Sequence, residues 1–413
     1  MVLRPCEANS CAAIKATPTA LYSRSRSHPK INLESVSYFS TTKSDHQQTT
    51  FTTHSTTTSP QKHHVQTSVF PKNPCKTPQT ASSKKNSKIG PVNDSIYSDY
   101  MTKLSKVDLV GVGLNAIDTV IPLSNYPVRG SKVEYPTASV LPGGQVATTV
   151  VACQHWGMST RYVGKLGDDA AATLHHKEFT RAGVETHLTI VPGGSSAQSL
   201  ILVDSAGERT VLCRRDERMV LQPGDLDREW IVNARALHVD GHDTAAATLA
   251  AGWARAAGVP VIADLDELYP GIEELLENID YLVVSRDFPC RLMGENDLEK
   301  ALRGMQRRYG CVLAAATLGE EGVLAWDGQH LHHAPAYCVS VVDTTGAGDI
   351  FHAGFIYGLI QDWPLQQRLD FACAAAALNC TAVGARGGIQ ALAAIEKLMA
   401  TGSRHQRNPQ AAW

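Results

Sequence analysis

The chain has 413 residues, of which 43% are hydrophobic and 19% are charged, and its formal net charge is −2. This composition is typical of a globular protein, and the small net charge gives no electrostatic reason to expect a nucleic-acid partner. No apolar run approaches the roughly 18–20 residues that a membrane-spanning helix needs, so we expect no membrane partner either.

The first hundred residues differ from the rest of the chain. Residues 1–100 hold twelve Lys or Arg against five Asp or Glu, and Ser, Thr, His, Gln and Pro are abundant there. Because no apolar period persists, this segment cannot bury enough surface to offset its chain entropy, and we expect a disordered tail. A transit peptide, a disordered binding tail and an over-extended start upstream of Met101 all fit the composition. We expect a cytoplasmic protein, or one of an organelle stroma or matrix if residues 1–100 are a transit peptide.

From Met101 to about residue 400, short apolar runs alternate with helical patterns. Such alternation predicts βαβ units, and therefore an α/β fold with a doubly wound, mostly parallel sheet that binds ligands at its carboxyl edge. The predicted strands are Val107–Gly111, Thr160–Val163, Ala236–Val239, Val259–Ala263, Tyr281–Val284 and Val312–Thr317. The predicted helices are Ala147–His155, Ala170–Ala182, Ala245–Ala257, Leu298–Tyr309 and Phe351–Ile360.

Two segments interrupt this alternation. Half-alternating polarity at about residues 119–138 and 196–214 predicts β-structure, and Asp204–Gly207 has the composition of a turn. We expect these segments to form a small β-sheet lid beside the α/β body. The α/β domain is expected to span residues 101–400, with residues 401–413 as a flexible C-terminus.

The segment Val341–Phe351 carries the strongest chemical signal in the chain. Gly346, Ala347 and Gly348 precede a predicted apolar helix, so unpaired backbone N–H groups and the positive end of the helix dipole should attract an anion there. Glycine also lets this backbone approach phosphate oxygens closely. The three residues are therefore a predicted anion hole for a phosphoryl group in transfer.

Two carboxylates flank the predicted anion hole. Asp349, in the first turn of the predicted helix, can accept the proton of a hydroxyl that attacks the γ-phosphate of a nucleotide. Asp343, at the end of the preceding β run, is better placed to bind a cation or to brace the loop. The pattern indicates ATP-dependent phosphorylation of an alcohol, with Asp349 as the catalytic base.

The string Asp343–Asp349 resembles the C-terminal signature of the ribokinase family, also called the PfkB family of carbohydrate kinases, and the likeness covers about Val107 to Leu398. It implies a doubly wound α/β domain with a small β lid, the cofactors ATP and Mg²⁺, and transfer of the γ-phosphate of ATP to a hydroxyl of a sugar or sugar derivative. A nucleoside kinase of the same fold and a non-catalytic sugar- or nucleotide-binding regulator are the alternatives. The intact Asp349 weighs against the regulator.

The resemblance also implies an acceptor site in the first half of the domain. Asp118 matches the family aspartate that holds sugar hydroxyls, and Gly143 and Gly144 match signature glycines that let the substrate approach the backbone. Thr148 stands where the family usually has Asn, so its contact with the acceptor must differ. Asp349 completes the implied substrate-binding set.

Nucleotide and cation sites are implied in the second half. The implied ATP-binding residues are Thr317, Gly319, Gly322, Gly346 and Gly348. The residues that match a monovalent cation site are Asp343, Thr345, Ala382 and Gly388, which makes K⁺ a further expected cofactor. The family motif Asn-x-x-Glu, tied to Mg²⁺ and phosphate, is replaced by Ser285–Phe288, where Asp287 is a candidate substitute.

Within the family, the chain most resembles the sulfofructose kinase-like branch. The strings that carry this likeness are Ser196–Leu200, Phe351-His352, and Leu378–Thr381 followed by Gly387-Gly388. Because pocket side chains vary among proteins that share this fold, the likeness does not determine which molecule is the acceptor. We expect a small-molecule sugar or sugar derivative as the substrate. A homodimer is the oligomeric state that we consider for the chain.

Overall fold

The computed structural model describes residues 105–406. The predicted disorder of residues 1–100 lies outside the described residues, as do residues 407–413 of the predicted flexible C-terminus. Within residues 105–406, no helix combines the length and the apolar character needed to cross a bilayer.

Thirteen strands in two sheets lie within residues 105–406. The strands are β1 (Val107–Val112), β2 (Ala116–Pro122), β3 (Ser139–Gly143), β4 (Thr160–Gly167), β5 (Glu185–Val191), β6 (Gln198–Val203), β7 (Arg209–Arg214), β8 (Ala234–Asp240), β9 (Val261–Leu265), β10 (Tyr281–Ser285), β11 (Leu313–Thr317), β12 (Val323–Trp326) and β13 (Leu331–Ala334). Nine of them form the main sheet, in the order β13-β12-β11-β10-β9-β8-β1-β4-β5. The strands from β11 to β5 are parallel, and β12 and β13 add an antiparallel edge.

Helices cover both faces of the main sheet. They are α1 (Gln145–His155), α2 (Ala170–Ala182), α3 (Arg228–Val232), α4 (Thr244–Ala256), α5 (Ile272–Leu276), α6 (Phe288–Met293), α7 (Leu298–Tyr309), α8 (Ala347–Ile360), α9 (Leu365–Asn379) and α10 (Leu392–Thr401). Because strand side chains alternate between faces, Val110 and Leu109 of β1 enter different buried clusters. Val110 packs with residues of α4, α5 and α7, and Leu109 packs with residues of α1, α8 and α9. The predicted doubly wound α/β fold is confirmed.

The strands β3-β2-β6-β7 form the second, smaller sheet that was predicted. In it β2 pairs in parallel with β6, and the outer pairs are antiparallel. Its bounds differ from the expected segment at residues 119–138, because β2 starts at Ala116 and β3 starts at Ser139. Residues 123–138 between them contain Pro127 and Pro136. Proline lacks the backbone N–H that a sheet ladder needs, so apolar residues alone did not make this stretch a strand.

The first part of the segment expected to be a flexible C-terminus makes defined contacts. α10 runs to Thr401, and Arg404 forms a β-bridge with Tyr337 and a 2.6 Å salt bridge with Asp370. The guanidinium of Arg404 also lies over the Tyr337 ring, 4.0 Å from its centroid. Contacts with residues distant in sequence therefore hold residues 401–406 against the domain, and the flexible C-terminus stays a prediction.

Candidate active site

The helix that carries the predicted base starts at a glycine with a left-handed backbone. Gly346 caps α8 with a φ of 77°, and a Cβ there would lie 2.4 Å from the carbonyl oxygen of Ala385. A side chain at this position would therefore be both strained and in collision. A Cβ at Gly348 would meet no atom within 4 Å, so the first turn faces open space. Ala347 donates its N–H to the Thr344 carbonyl at 3.2 Å, which leaves the two glycines as the better anion donors of the predicted hole.

Asp349 lies in the first turn of α8, as predicted, and the structure shows that it is half-buried. Its carbonyl oxygen accepts a 2.9 Å hydrogen bond from Oγ1 of Thr149, which fixes this turn against α1. Burial raises the pKa of the Asp349 carboxyl well above its usual range, and the nearby Asp264 carboxyl raises it further, whereas Arg209 and Arg386 oppose the shift. A carboxylate with raised proton affinity is suited to act as a general base near neutral pH.

Asp264, which the sequence reasoning missed, lies beside the same helix. Its Oδ1 is 3.3 Å from Nε2 of His352, one turn after Asp349 on α8. Burial raises the pKa of Asp264 and lowers the pKa of His352, so burial disfavours the charged form of both groups. Asp264 directly follows the predicted strand Val259–Ala263. A carboxylate at the carboxyl end of a parallel strand was therefore the signal that could have found it.

The carboxylate of Asp343 is buried and joins two loops. Its Oδ1 accepts from the N–H of Thr345 and its Oδ2 accepts from the N–H of Gly384, both at 2.8 Å. Thr345 is 5% exposed, and its Oγ1 has no hydrogen-bond partner within the described chain. Ala382 and Gly388 lie in the same loop as Gly384. The structure thus brings the four predicted cation-site residues to one place, where an orphaned hydroxyl oxygen and a carboxylate are available.

Asn379, at the end of α9, ties this loop to the start of α8. Its Nδ2 donates to the carbonyls of Thr345 at 3.2 Å and Ala385 at 3.1 Å, and its Oδ1 accepts from Gly388 N at 3.2 Å. The side chain is fully buried. The sequence reasoning quoted Asn379 only as part of a family string, because its bonding partners could not be inferred from the local pattern.

The acceptor side of the site is built from β2 and the turn after β3. Asp118 is 4% exposed, and a Cβ at Gly143 would lie 1.9 Å from its Oδ2, so only glycine fits beside this carboxylate. Burial raises the pKa of Asp118 to about 6, and a hydrogen bond from Ser199 lowers it. Gly144 caps α1 with a φ of 91°. The predicted acceptor-site residues therefore meet, and Asp118 remains mostly charged at neutral pH.

Thr148, which replaces the usual family Asn, contacts an arginine that the sequence reasoning did not single out. Thr148 is fully buried in α1, and its Oγ1 accepts a 3.2 Å hydrogen bond from Nε of Arg386. Nη2 of the same arginine donates to the Gly143 carbonyl at 2.8 Å. Residues 382–388 form a glycine-containing loop in which Arg386 is the cationic side chain. That charge was the sequence signal that could have identified Arg386 as a site residue.

A sequence model described as the pfkB family carbohydrate kinase matches residues 105–392. The chain belongs to the pfkB family. It is therefore a kinase with an alcohol group as acceptor, and the predicted carbohydrate kinase resemblance is confirmed.

Curated relatives of this pfkB kinase are similar over most of their own length. The 5-dehydro-2-deoxygluconokinase of Geobacillus kaustophilus is 26% identical over 71% of this chain and 93% of the relative. The ATP-dependent ribose-1-phosphate kinase of Halopiger xanaduensis is 29% identical over 65% of this chain and 90% of the relative. The structure of Arabidopsis thaliana ribokinase complexed with ribose and ATP superimposes with a TM-score of 0.62, at 24% identity, over 71% of this chain and 99% of that one. The last likeness shows the shared ribokinase-like fold.

The implied nucleotide residues of this pfkB kinase follow β11. Thr317 ends that strand, and Gly319 and Gly322 lie in the next turn with φ values of 63° and 87°. A Cβ at Gly322 would be 1.9 Å from the Ala334 carbonyl, so a close backbone approach accounts for this glycine. β11, β10 and β9 are parallel neighbours, so Thr317 lies at the same edge of the sheet as Asp264. This edge is where such sheets bind ligands.

The segment that replaces the family Asn-x-x-Glu motif offers few metal ligands. Ser285 ends β10, Asp287 precedes α6 as its cap, and Phe288 is fully buried in the core. Within residues 105–406, no group of three or more His, Cys, Asp or Glu side chains is arranged to hold a metal ion. A preformed protein cage for a divalent cation is therefore absent from the described part of the kinase.

Proposed function

We propose that this pfkB kinase transfers the γ-phosphate of ATP to a hydroxyl of a small sugar or sugar derivative, with Asp349 as the general base. One observation carries the proposal. The Asp349 carboxyl, whose pKa is raised by burial, lies in the first helical turn directly after Gly346 and Gly348, where a phosphoryl group can approach the backbone. A base and an anion site within one helical turn are what phosphoryl transfer to an alcohol requires.

In this reaction the proton of the acceptor hydroxyl moves to Asp349. The hydroxyl oxygen forms a bond to the γ-phosphorus, and the bond from that phosphorus to the bridging oxygen of ADP breaks. The N–H groups of Gly346 and Gly348 stabilise the negative charge of the transferred group. Asp118, mostly charged at neutral pH, accepts hydrogen bonds from acceptor hydroxyls beside Gly143. Thr317, Gly319 and Gly322 complete the proposed nucleotide site at the sheet edge.

The cations of this proposal bind in two different ways. Mg²⁺ commonly binds proteins through substrate phosphates and one or two carboxylates, which suits a site with Asp287 but no preformed cage among the described residues. K⁺ would bind near Asp343, the free Oγ1 of Thr345, Ala382 and Gly388, and would order the loop rather than react. The buried carboxylate and the orphaned hydroxyl oxygen support this site.

An acceptor screen tests the proposed function. The relatives named above are named for different acceptors, and the sulfofructose kinase-like branch remains a prediction. ADP release should be followed with Mg-ATP over sugars, sugar phosphates, sulfosugars and nucleosides. The Asp349→Asn variant serves as the control for contaminating ATPases. We expect turnover with at least one sugar or sugar derivative, and turnover about 10²–10⁴-fold lower with the variant. Turnover with nucleosides alone would contradict the proposed acceptor class.

We further propose that the kinase domain spans residues 101–400. We also propose that it forms a homodimer through its small sheet and that it is located in the cytoplasm. Val140 of β3 is 56% exposed and Leu212 of β7 is 54% exposed, and the strand register places both on the same face of the small sheet. Exposed apolar side chains on the outer strands of a small sheet are typical of interaction surfaces. The cysteines of the described residues are all free thiols, which suits a reducing compartment.

A further inference from the structure

Arg386 occupies a position in the candidate site that the reaction above does not use. It lies in the loop of residues 380–391 between α9 and α10, whose backbone packs against Gly346 at the start of α8. From this loop its side chain reaches the acceptor side, where it contacts Gly143 and Thr148. Arg386 therefore joins the anion loop to the acceptor signature.

Two of the three guanidinium nitrogens of Arg386 donate hydrogen bonds to the described residues, and the third does not. Nη2 is bonded to the Gly143 carbonyl at 2.8 Å and Nε is bonded to Oγ1 of Thr148 at 3.2 Å. Nη1 is buried and has no hydrogen-bond partner in residues 105–406. A buried donor without a partner costs free energy, so an oxygen atom supplied by a ligand would be favoured at this nitrogen.

The charges around Arg386 leave it partly uncompensated. Burial lowers the pKa of Arg386 to about 10, which keeps it charged at neutral pH, and the strongest neighbouring charge is Glu178. Glu178 is itself paired with Arg181 at 2.9 Å. Asp118 and Asp349 also act on the guanidinium, but burial raises the pKa of the Asp349 carboxyl well above its usual range, so Asp349 compensates the positive charge only weakly. An additional negative charge can therefore be accepted here.

We propose that Nη1 of Arg386 binds an oxygen of the phosphoryl acceptor, and that this contact selects sugars with an acidic group over their neutral counterparts. The proposal rests on the proposed kinase function. A charge-assisted bond from a guanidinium to an oxyanion is stronger than one to a hydroxyl. Thr148 then acts as a positioning residue, because its hydroxyl orients Arg386. The Asn that the family usually has at this position would instead contact the acceptor directly.

Matched pairs of acceptors test this selection. D-Gluconate and 2-keto-3-deoxy-D-gluconate represent sugar carboxylates, ribose 1-phosphate and fructose 6-phosphate represent sugar phosphates, and D-glucitol, D-ribose and D-fructose are neutral controls. Affinity is measured by calorimetry and turnover by ADP release. In the wild type, acids of at least one kind should bind about 10- to 100-fold more tightly than the neutral compounds, as expected for one charge-assisted hydrogen bond. The carboxylate and phosphate arms identify which acid is selected.

Three variants separate binding from folding. Arg386→Gln should abolish the preference for the acid while the KM for ATP stays unchanged, and Arg386→Lys should retain part of it because the charge remains. Thr148→Val, which removes only a hydroxyl, should weaken the preference by less than Arg386→Gln. Arg404→Gln is the matched control, since Arg404 also bonds a backbone carbonyl, that of Pro335, but outside the site. Its acceptor selectivity should equal that of the wild type.

The outcomes distinguish this inference from the proposed function. One outcome is that the wild type binds acids selectively without turnover and that Arg386→Gln loses this selectivity. That outcome would support the inference and contradict the kinase reaction. Turnover of neutral sugars that Arg386→Gln leaves unchanged would overturn the inference and support the kinase reaction. Equal loss of affinity for acidic and neutral compounds, or absence of binding by every acid tested, would also overturn it.

Discussion

The loops at the start of α8 and the small sheet over the acceptor side are built in opposite ways. In the loops, Asp343, Thr345 and Asn379 are at most 5% exposed and are joined by hydrogen bonds from one loop to the other. In the sheet, every residue of β7 is exposed. Within the described residues, the buried apolar cluster of this sheet consists of Val120, Ile201 and Val203. Preorganised donors are needed for the chemical step, whereas a sheet with a small core can move as substrates enter.

Thr344 is one of the places where the two regions meet. Thr344, in the loop before α8, donates its N–H and its Oγ1–H to the Gly207 carbonyl at 3.2 and 3.1 Å. Arg209 of β7 donates from Nη1 to the Thr344 carbonyl at 3.0 Å. The tip of the β6–β7 hairpin is thus bonded directly to the loop that precedes the proposed anion hole. Movement of the small sheet can therefore reach the proposed phosphoryl site through these contacts.

The largest effect on folding should come from the rigid region. Asn379→Ala removes three buried hydrogen bonds, so we expect a loss of about 2–4 kcal/mol in the free energy of unfolding and a lower kcat. Urea unfolding followed by circular dichroism measures the loss. Asn278→Ala, which removes an exposed bond to the Glu274 carbonyl, is the matched control and should cost about 0.5 kcal/mol or less. A variant as stable as the control would contradict the rigid description of these loops.

A smaller effect should follow from cutting the contact between the two regions. Arg209→Ala removes the exposed bonds to Thr344 and should cost at most about 1 kcal/mol in stability. If the hairpin closes over the acceptor, the KM for the acceptor should rise about two- to five-fold while kcat changes less. Steady-state kinetics check this, with Arg214→Ala at the other end of β7 as control. Identical kinetics for the two variants would argue against coupling between the regions.

The smallest effect on stability should come from the outer face of the small sheet. Leu212→Lys places a charge on an exposed position of β7, an edge strand, and should change the free energy of unfolding by about 0.5 kcal/mol or less. The same charge should prevent association through this face, so sedimentation analysis should show monomers where the wild type forms dimers. A variant that dimerises like the wild type would exclude this face as the interface.

Local motifs account for what the sequence predicted well. The segment from Asp343 to Asp349 is contiguous, so the start of α8 and the position of Asp349 in its first turn could be placed from neighbouring residues alone. The alternation of apolar runs likewise predicted six of the nine strands of the main sheet to within a few residues, and missed β5, β12 and β13. Such features depend on interactions that are short in sequence.

Contacts between distant residues account for what was missed. Arg386 binds Thr148 across 238 positions, and Asp264 on β9 approaches His352 on α8, so no spacing rule joins them. The lid segment was misplaced for a different reason. Apolar residues near Pro127 and Pro136 matched a strand pattern, but the prolines remove the donors that pairing needs. Selectivity, which depends on these long-range contacts, is accordingly harder to predict than the chemical step.

The rate of phosphoryl transfer by the Asp349→Asn variant decides whether Asp349 is the catalytic base. The change keeps the size of the side chain but removes the proton acceptor, so with the acceptor found in the screen kcat should fall about 10²–10⁴-fold. Folding and ATP affinity should be retained, because the backbone donors of Gly346 and Gly348 remain and Asn carries no buried charge. Wild-type kcat/KM should decline as the pH falls through the raised pKa of Asp349, since only the deprotonated carboxylate accepts a proton. A variant that keeps most of the wild-type turnover would show that Asp349 is not the base.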